Sequence, residues 1–536
     1  MRRKVYLVQP TYRDGSGRLL KGRSLHVHSL ALPALSATIP DSWEKEFCLE
    51  FFDDVDLDTD ASVVGITSMG YDLLRGVELA RAFRERGKVV LFGGYQARLA
   101  PEAVSAHCGA LVHGHPTAGE MRAILTDAEE GRLRPEYHCG TDLDFPFDYS
   151  ILDGHRIRFL PVLTGVGCRQ RCDFCCTAKL YGGRYHLRDP DVVMCDLRSV
   201  RRRSRFAGFV DSNLYNRRDY LLRLCRRMVD ARLGLHWGAQ STIDIGDDDE
   251  ALHWVRRAGG TLLFVGFETL SQANLDSVGK RCRVDSYARR LERIHAAGLR
   301  VVGFFMLGLD EDTPAAFEQV FRFVHDQRLA MPILNLLLPV PGTAVFGKLR
   351  AEGRADGGCL EEFLRNNAAY NVSCNRCFYQ PKAMSRDETE AAYLRLYRRL
   401  MAPGEILWRS WDSSPLRAAI LLGMNLQNLR NYFAVAGAHQ RALPAVGRAP
   451  LRRAAVDQAC GAEEGGQEQP GRADDASRRR QMSEGRRPGV DGCPRETQVG
   501  LAASPTIHDE SRSAAAARSP TQENAHDRAP RAHQHA

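Results

Sequence analysis

Up to about residue 130 the chain alternates two hydrophobic patterns. VYLVQP (5–10), CLEFFDDV (48–55), VVGITSM (63–69), KVVLFGG (88–94) and ALVHG (110–114) are short apolar runs. Between the third and fourth lies YDLLRGVELARAFRERG (71–87), with apolar positions three and four residues apart and a closing glycine. Continuous apolar runs of that length predict strands covered on both faces, and the 3.6-residue period predicts a helix lying on one face. Strands alternating with helices predict a doubly wound, parallel α/β domain over 1–130. Such sheets bind ligands outside the carboxyl ends of their strands. Ser68, Gly93 and Gly94, with Gly70 and the His113–Gly114 pair, are therefore candidate binding positions.

Residues 131–159 show little periodicity and read as a linker. A second alternating series then runs from 160 to 355, with six β-rich runs: FLPVLTGVG, FAGFVDSN, LHWGAQST, LLFVGFET, LRVVGFFMLG and PILNLLLPVPG. Helical stretches such as RDYLLRLCRRMVDARLG separate them. Six strand–helix repeats predict an open or closed (β/α) barrel, with its chemistry at the strand carboxyl ends. Residues 356–435 read as a helical region. Beyond Phe433 there is no Phe, Tyr or Trp. Residues 436–536 are expected to be disordered, because too little apolar surface is available to offset the ordering entropy.

Composition narrows the function classes. A chain of 536 residues suggests two or three domains. No apolar run reaches the ~20 residues of a membrane helix, and the apolar part of MRRKVYLVQP is too short for a secretion signal. A cytoplasmic protein without a membrane span is expected. Its fifteen cysteines are then poor disulfide candidates, and most read as small buried hydrophobes. The net charge of +8 and the run RSVRRRSR (198–205) raise the question of a nucleic-acid partner. That run lacks interleaved aromatics and falls where a helix is predicted, so a solvated helix face is the better reading and no nucleic acid is expected.

Two cysteine groups break the scattered pattern. Cys374 and Cys377 lack further ligands nearby other than Cys359, and read as structural or incidental. Cys168, Cys172 and Cys175 directly follow a predicted strand in TGVGCRQRCDFCCTAKLYGGR, with the spacing CxxxCxxC. Thiolates are the usual ligands of a 4Fe–4S cube, and three on one loop leave the fourth iron open to a small molecule. Zinc normally takes four Cys or His ligands. Cys176 offers a fourth thiol here, but it is adjacent to Cys175 and poorly placed to share one ion with the other three.

This loop, with Phe174 before its third cysteine, resembles the radical S-adenosylmethionine superfamily, in which S-adenosylmethionine chelates the open iron and is reductively split to a 5′-deoxyadenosyl radical. The resemblance implies Cys168, Cys172 and Cys175 as cluster ligands and an electron donor such as flavodoxin or ferredoxin. FVDSN looks like a segment contacting the methionine moiety or the substrate, which implies Asp211 and Asn213. VGFET looks like the ribose-contacting segment, which implies Glu268. GFFMLGLDEDT looks like the Gly-rich segment beside the adenine, which implies Gly303. Tyr181 and His186 are candidates for the substrate site.

Through VVGITSM and the helix after it, LFGG and PEA, the α/β domain ahead of the barrel resembles the cobalamin-binding domain of the cobalamin-dependent branch, and the similarity to that branch covers roughly residues 1–435. The DxHxxG motif is missing: Asp153-Gly154-His155 begins like it, but Arg158 takes the glycine position. The resemblance therefore implies methylcobalamin bound without a protein histidine below the cobalt. The implied activity is methyl transfer to an unactivated carbon, or a phosphinate phosphorus, of a small-molecule biosynthetic intermediate, as in hopanoid and antibiotic pathways. The alternative is a radical oxidoreductase, cyclase or rearrangement enzyme.

Overall fold

The computed structural model describes residues 3–440, apart from 14–17, 23–28, 356–376 and the single positions 71, 100, 156 and 341. Cys359, Cys374 and the tail beyond 440 lie outside the described residues.

The first domain is a parallel six-stranded sheet. Its strands are β1 (Lys4–Gln9), β2 (Glu44–Leu49), β3 (Val63–Thr67), β4 (Val89–Gly93), β5 (Ala110–His113) and β6 (Glu136–His138), in the order β2-β1-β3-β4-β5-β6. The winding direction reverses between β1 and β3, where a doubly wound sheet opens a crevice. Alternate side chains go to opposite faces. Val5, Leu7, Val63 and Leu91 pack with helices α1 (Ala31–Thr38) and α4 (Ala118–Glu129). Tyr6, Val8, Val64 and Phe92 pack with α2 (Leu73–Glu85). A short α3 (Tyr95–Leu99) follows β4.

Three features differ from the sequence-based expectation. β2 ends at Leu49, and FFDDV is a turn: the Phe52 and Asp53 amides both donate to the Leu49 carbonyl, and the Asp53 carboxylate accepts from the Leu49 amide. α1 lies in a stretch without strong amphipathy. The 131–159 segment contributes β6 to the sheet and buries Leu143, Phe147, Tyr149, Ile151 and Leu152, so it is an integral part of the core rather than a loose linker.

The second sheet is built from β7 (Phe159–Val162), β10 (Phe206–Phe209), β11 (His236–Ser241), β12 (Gly260–Glu268), β13 (Arg300–Leu307) and β14 (Met331–Leu336). All are parallel in the order β14-β13-β12-β11-β10-β7, and they coincide with the six predicted runs. β7 and β14 do not pair, so the barrel is open. An antiparallel hairpin of β8 (Gly165–Gly167) and β9 (Tyr185–Leu187) flanks the cysteine loop. α5 (Cys176–Tyr181) lies within that hairpin, and α6 (Pro190–Arg203) carries the RSVRRRSR run. In its last turn Arg203 pairs with Asp153 and Arg201 donates to the Leu233 carbonyl, as a helix face would. Helices α7 (Arg218–Asp230), α8 (Asp249–Arg257), α9 (Gln272–Ser277), α10 (Tyr287–Ala296), α11 (Pro314–Asp326) and α12 (Ala344–Ala351) complete the barrel.

Three further helices, Arg386–Leu400, Pro403–Ser410 and Pro415–Gln440, meet the β14 edge. Tyr393 donates to the Leu334 carbonyl, while the Asn425 and Asn428 amides donate to Ala330 and Pro332. Among the described residues, no helix is long and apolar enough to cross a membrane.

Candidate active site at the barrel mouth

The cysteine loop is fixed at its ends by backbone geometry. Gly167 has φ of +96°, and a Cβ there would stand 2.2 Å from the Arg184 carbonyl. The Cys168 amide donates to that same carbonyl. At the other end Cys175 caps α5, and its amide donates to the Cys172 carbonyl. In between, Asp173 is anchored to both the segment after α9 and the start of α12, through Val278 and Val345. Phe174 packs against a cluster that includes Met306, Leu337 and Tyr379 at the barrel mouth.

Cys168 and Cys172 are buried and Cys175 is half-buried. Burial pushes the Cys168 thiol up and the Cys172 thiol up to about 11, with the Lys280 ammonium acting in the opposite direction on both. A metal group bound here must displace thiol protons. Sulfurs on one tetrahedral zinc stand about 3.8 Å apart, given zinc–sulfur bonds of ~2.3 Å. The Cys168, Cys172 and Cys175 sulfurs are not all within 4.8 Å of one another.

Glu268 sits at the carboxyl end of β12, where the ladder shifts register and its φ is +65°. Its carboxylate accepts from Lys280 at 2.9 Å, with both side chains 13% exposed. Lys280 therefore pairs with the ribose-side candidate and also acts electrostatically on Cys172. Nothing in the GKRC segment marks it in sequence.

Asp211 is fully buried. Its carboxylate accepts from the Thr164 hydroxyl at 2.5 Å, the Thr164 amide at 3.1 Å and the Tyr185 hydroxyl at 3.0 Å. Burial raises its pKa, and those donors oppose the shift. Asp211 thus ties β10 to the hairpin. Asn213 accepts from the Tyr215 and Thr242 amides and donates to Asn216. Asn216, absent from the sequence-based set, receives the Arg169 amide and lies 3.8 Å from the Cys168 sulfur. It is the Asn216 Oδ1 that faces the Cys168 thiol, and the buried Nδ2 has no hydrogen-bond partner.

Gly303 does not join this group. It lies inside β13, where a Cβ would stand 2.7 Å from Leu329 and 3.1 Å from Phe267 and Phe305. Its missing side chain serves packing on the helix-covered face, away from the strand end at Leu307. His186 sits in β9 opposite Val166.

Across from the barrel mouth, the crevice of the first sheet opens into a cavity of about 700 Å³. Gln9, Thr67, Gly93, Gly94 and Gly114 line it from the sheet side, and Leu163, Val166, Tyr181 and Val210 from the barrel side. Gly94 has φ of +106°, and a Cβ there would stand 2.0 Å from the Ser68 carbonyl. Ser68 itself is buried, with its hydroxyl donated to Asp72. His115, just past β5, contacts the Tyr181 hydroxyl at 3.2 Å, and Tyr181 donates to Tyr95. Burial, aided by Arg98, lowers His115 to about 4 and keeps it neutral. His155 is elsewhere, on the Asp53 carboxylate.

Residues 162–324 match the sequence model of the Radical SAM superfamily. The chain is 27% identical over 303 residues to bacteriochlorophyllide d C-12(1)-methyltransferase of Chlorobaculum tepidum, covering 54% of this chain and 66% of the relative, just under two thirds. It is 26% identical over 377 residues to the C-8(2)-methyltransferase of the same organism, covering 64% and 80% respectively. Among solved structures it resembles TsrM, a radical S-adenosylmethionine methyltransferase from Kitasatospora setae with cobalamin and a 4Fe–4S cluster bound. The TM-score is 0.59 at 16% identity, covering 82% of this chain and 100% of that one. At that identity the likeness is one of fold.

Proposed function

The barrel of this chain belongs to the radical S-adenosylmethionine superfamily, and from that premise we propose a cobalamin-dependent methyltransferase acting on an unactivated carbon, or a phosphinate phosphorus, of a small biosynthetic intermediate. The observation that carries the reading is the cavity shared by the first sheet's crevice and the β7, β8 and β10 ends of the barrel. The two curated relatives, both methyltransferases, support the same class.

The residues present fit the groups this reading requires. Cys168, Cys172 and Cys175 would hold three irons of the cluster, with the Asn216 amide beside Cys168. Glu268, oriented by Lys280, would accept the ribose hydroxyls of S-adenosylmethionine, while Phe174 supports the loop from beneath. Asp211 and Asn213 would act by holding strand ends in place. Cobalamin would lie over the floor made by Gly93 and Gly94, both of which line the cavity. His115 lines the same cavity, with its Nε2 engaged by the Tyr181 hydroxyl. When bound, these groups supply a hydrogen-abstracting radical and a transferable methyl group. The chain positions substrate between the two floors and excludes water from the apolar cavity. Flavodoxin or ferredoxin would deliver electrons in the cytoplasm.

Anaerobically reconstituted protein with S-adenosylmethionine, cobalamin and a reductant should yield both 5′-deoxyadenosine and S-adenosylhomocysteine, and Cys172→Ala should yield neither. Deoxyadenosine alone, from protein retaining no cobalamin, would refute methyl transfer.

A further inference from the structure

One group of side chains lies outside the site described above. β5 and β6 are neighbouring parallel strands in which His113 is in register with His138, and Glu136 is two residues before His138 on the same face. The α2 side of the sheet covers Leu111 but leaves this corner open, with His138 and Glu136 exposed and His113 half-buried.

The three ligand atoms all lie within 4.8 Å of one another. Both imidazole Nε2 atoms approach the same oxygen: His113 stands 3.4 Å and His138 3.3 Å from Glu136 Oε2. Charged hydrogen bonds are shorter, about 2.7–2.9 Å, and the buried His113 Nε2 has no hydrogen-bond partner. The separations instead match the edge of a tetrahedron around zinc, about 3.3–3.4 Å for metal–nitrogen and metal–oxygen bonds of roughly 2.0–2.1 Å. The rings stack at 4.7 Å with 12° between planes, so both Nε2 lone pairs converge on one ion only when the exposed His138 ring turns out of the stack.

We propose that His113, Glu136 and His138 form a binding site for a divalent transition metal of the zinc type, with three protein ligands and one open position. The site joins the carboxyl ends of two strands. The residues that follow are Gly114 and His115, which line the cavity, and Cys139 and Gly140, which hold them: the Cys139 amide donates to His113 and the His115 amide to Gly140. The bound ion fixes the edge of the crevice from outside and stands apart from the cysteine loop.

The test uses the full chain with its iron cluster loaded, cleared of loosely held metal, then equilibrated with Zn²⁺ while zinc and iron are both quantified. One zinc per chain at micromolar free Zn²⁺, with iron unchanged and a higher melting temperature, is the expected result. His138→Gln and Glu136→Gln, both at exposed positions, should weaken zinc binding at least tenfold and lose the thermal shift while keeping iron. Equal zinc binding by the variants, no zinc in the wild type, or zinc that enters only as iron leaves would each overturn the proposal.

Discussion

Arg188 offers the sharpest energetic test of how the first domain is joined to the barrel. Its guanidinium donates to the Leu143, Leu163 and Phe145 carbonyls at 2.7–2.9 Å and to Asp196 at 2.8 Å. It also lies over the Phe147 ring at 3.9 Å. Arg188 is 2% exposed, and the Asp196 side chain is wholly buried. Arg188→Met removes the cation but leaves a carboxylate whose ionised form burial already disfavours. Breaking a buried pair from one side costs about 3–5 kcal/mol, and the three carbonyls left unpaired place the expected loss at the upper end. Replacing both partners removes the stranded charge, so Arg188→Met with Asp196→Leu should recover about 2 kcal/mol or more of it. Urea unfolding followed by circular dichroism, with midpoints compared at equal slope, measures both. A single-variant loss under about 1 kcal/mol, or a double variant no better than the single, would refute the reasoning.

Other outcomes follow from the site. Lys280→Met should destabilise the barrel by ~3 kcal/mol and weaken S-adenosylmethionine binding, while adding Glu268→Gln should restore stability but not binding; denaturation and equilibrium binding separate the two. Asp312 accepts from the Gly308 and Leu309 amides and from Asn274 at the β13 end, and burial raises it from 3.8 to about 6. Its folded form binds a proton more readily than its unfolded form, so its contribution falls as pH rises from about 4 to 6. The stability of wild type relative to Asp312→Asn should drop by up to about 3 kcal/mol across that window, and a flat difference would contradict it. Gly94→Val, which drives a side chain into the Ser68 backbone, should abolish cobalamin retention while iron content persists. Cys176→Ser should keep iron, and Cys172→Ala should lose it.

Legibility in the sequence followed from how many neighbouring residues shared one environment. The six barrel strands and four of the first five were readable as short β-rich apolar runs recurring between helical stretches, and the cysteine loop was readable because its ligands are local in the chain. β6 was missed because Glu-Tyr-His buries only Tyr137, and one apolar residue in three makes no period. The 131–159 segment looked like a linker because its buried residues follow no regular repeat and are held by Arg188, more than forty positions away from Phe145 and Leu143. Lys280 and Asn216 became visible only once folding brought them to Glu268 and Cys168. Gly303 shows the converse: its place in a Gly-rich segment was legible, but the close approach of Leu329, Phe267 and Phe305 to its missing side chain was not.

The missing β7–β14 pairing bears on how the pocket accommodates bulk. In a closed barrel, widening the lumen means breaking a hydrogen-bonded ladder or changing its stagger. Here the sheet ends in two unjoined margins, so displacement along that seam breaks no strand ladder, only the hydrogen bonds by which Tyr393, Asn425 and Asn428 hold the β14 margin. Size selection then falls to the segments bordering the seam, which can change in evolution without disturbing the strands that carry the cysteines and Glu268.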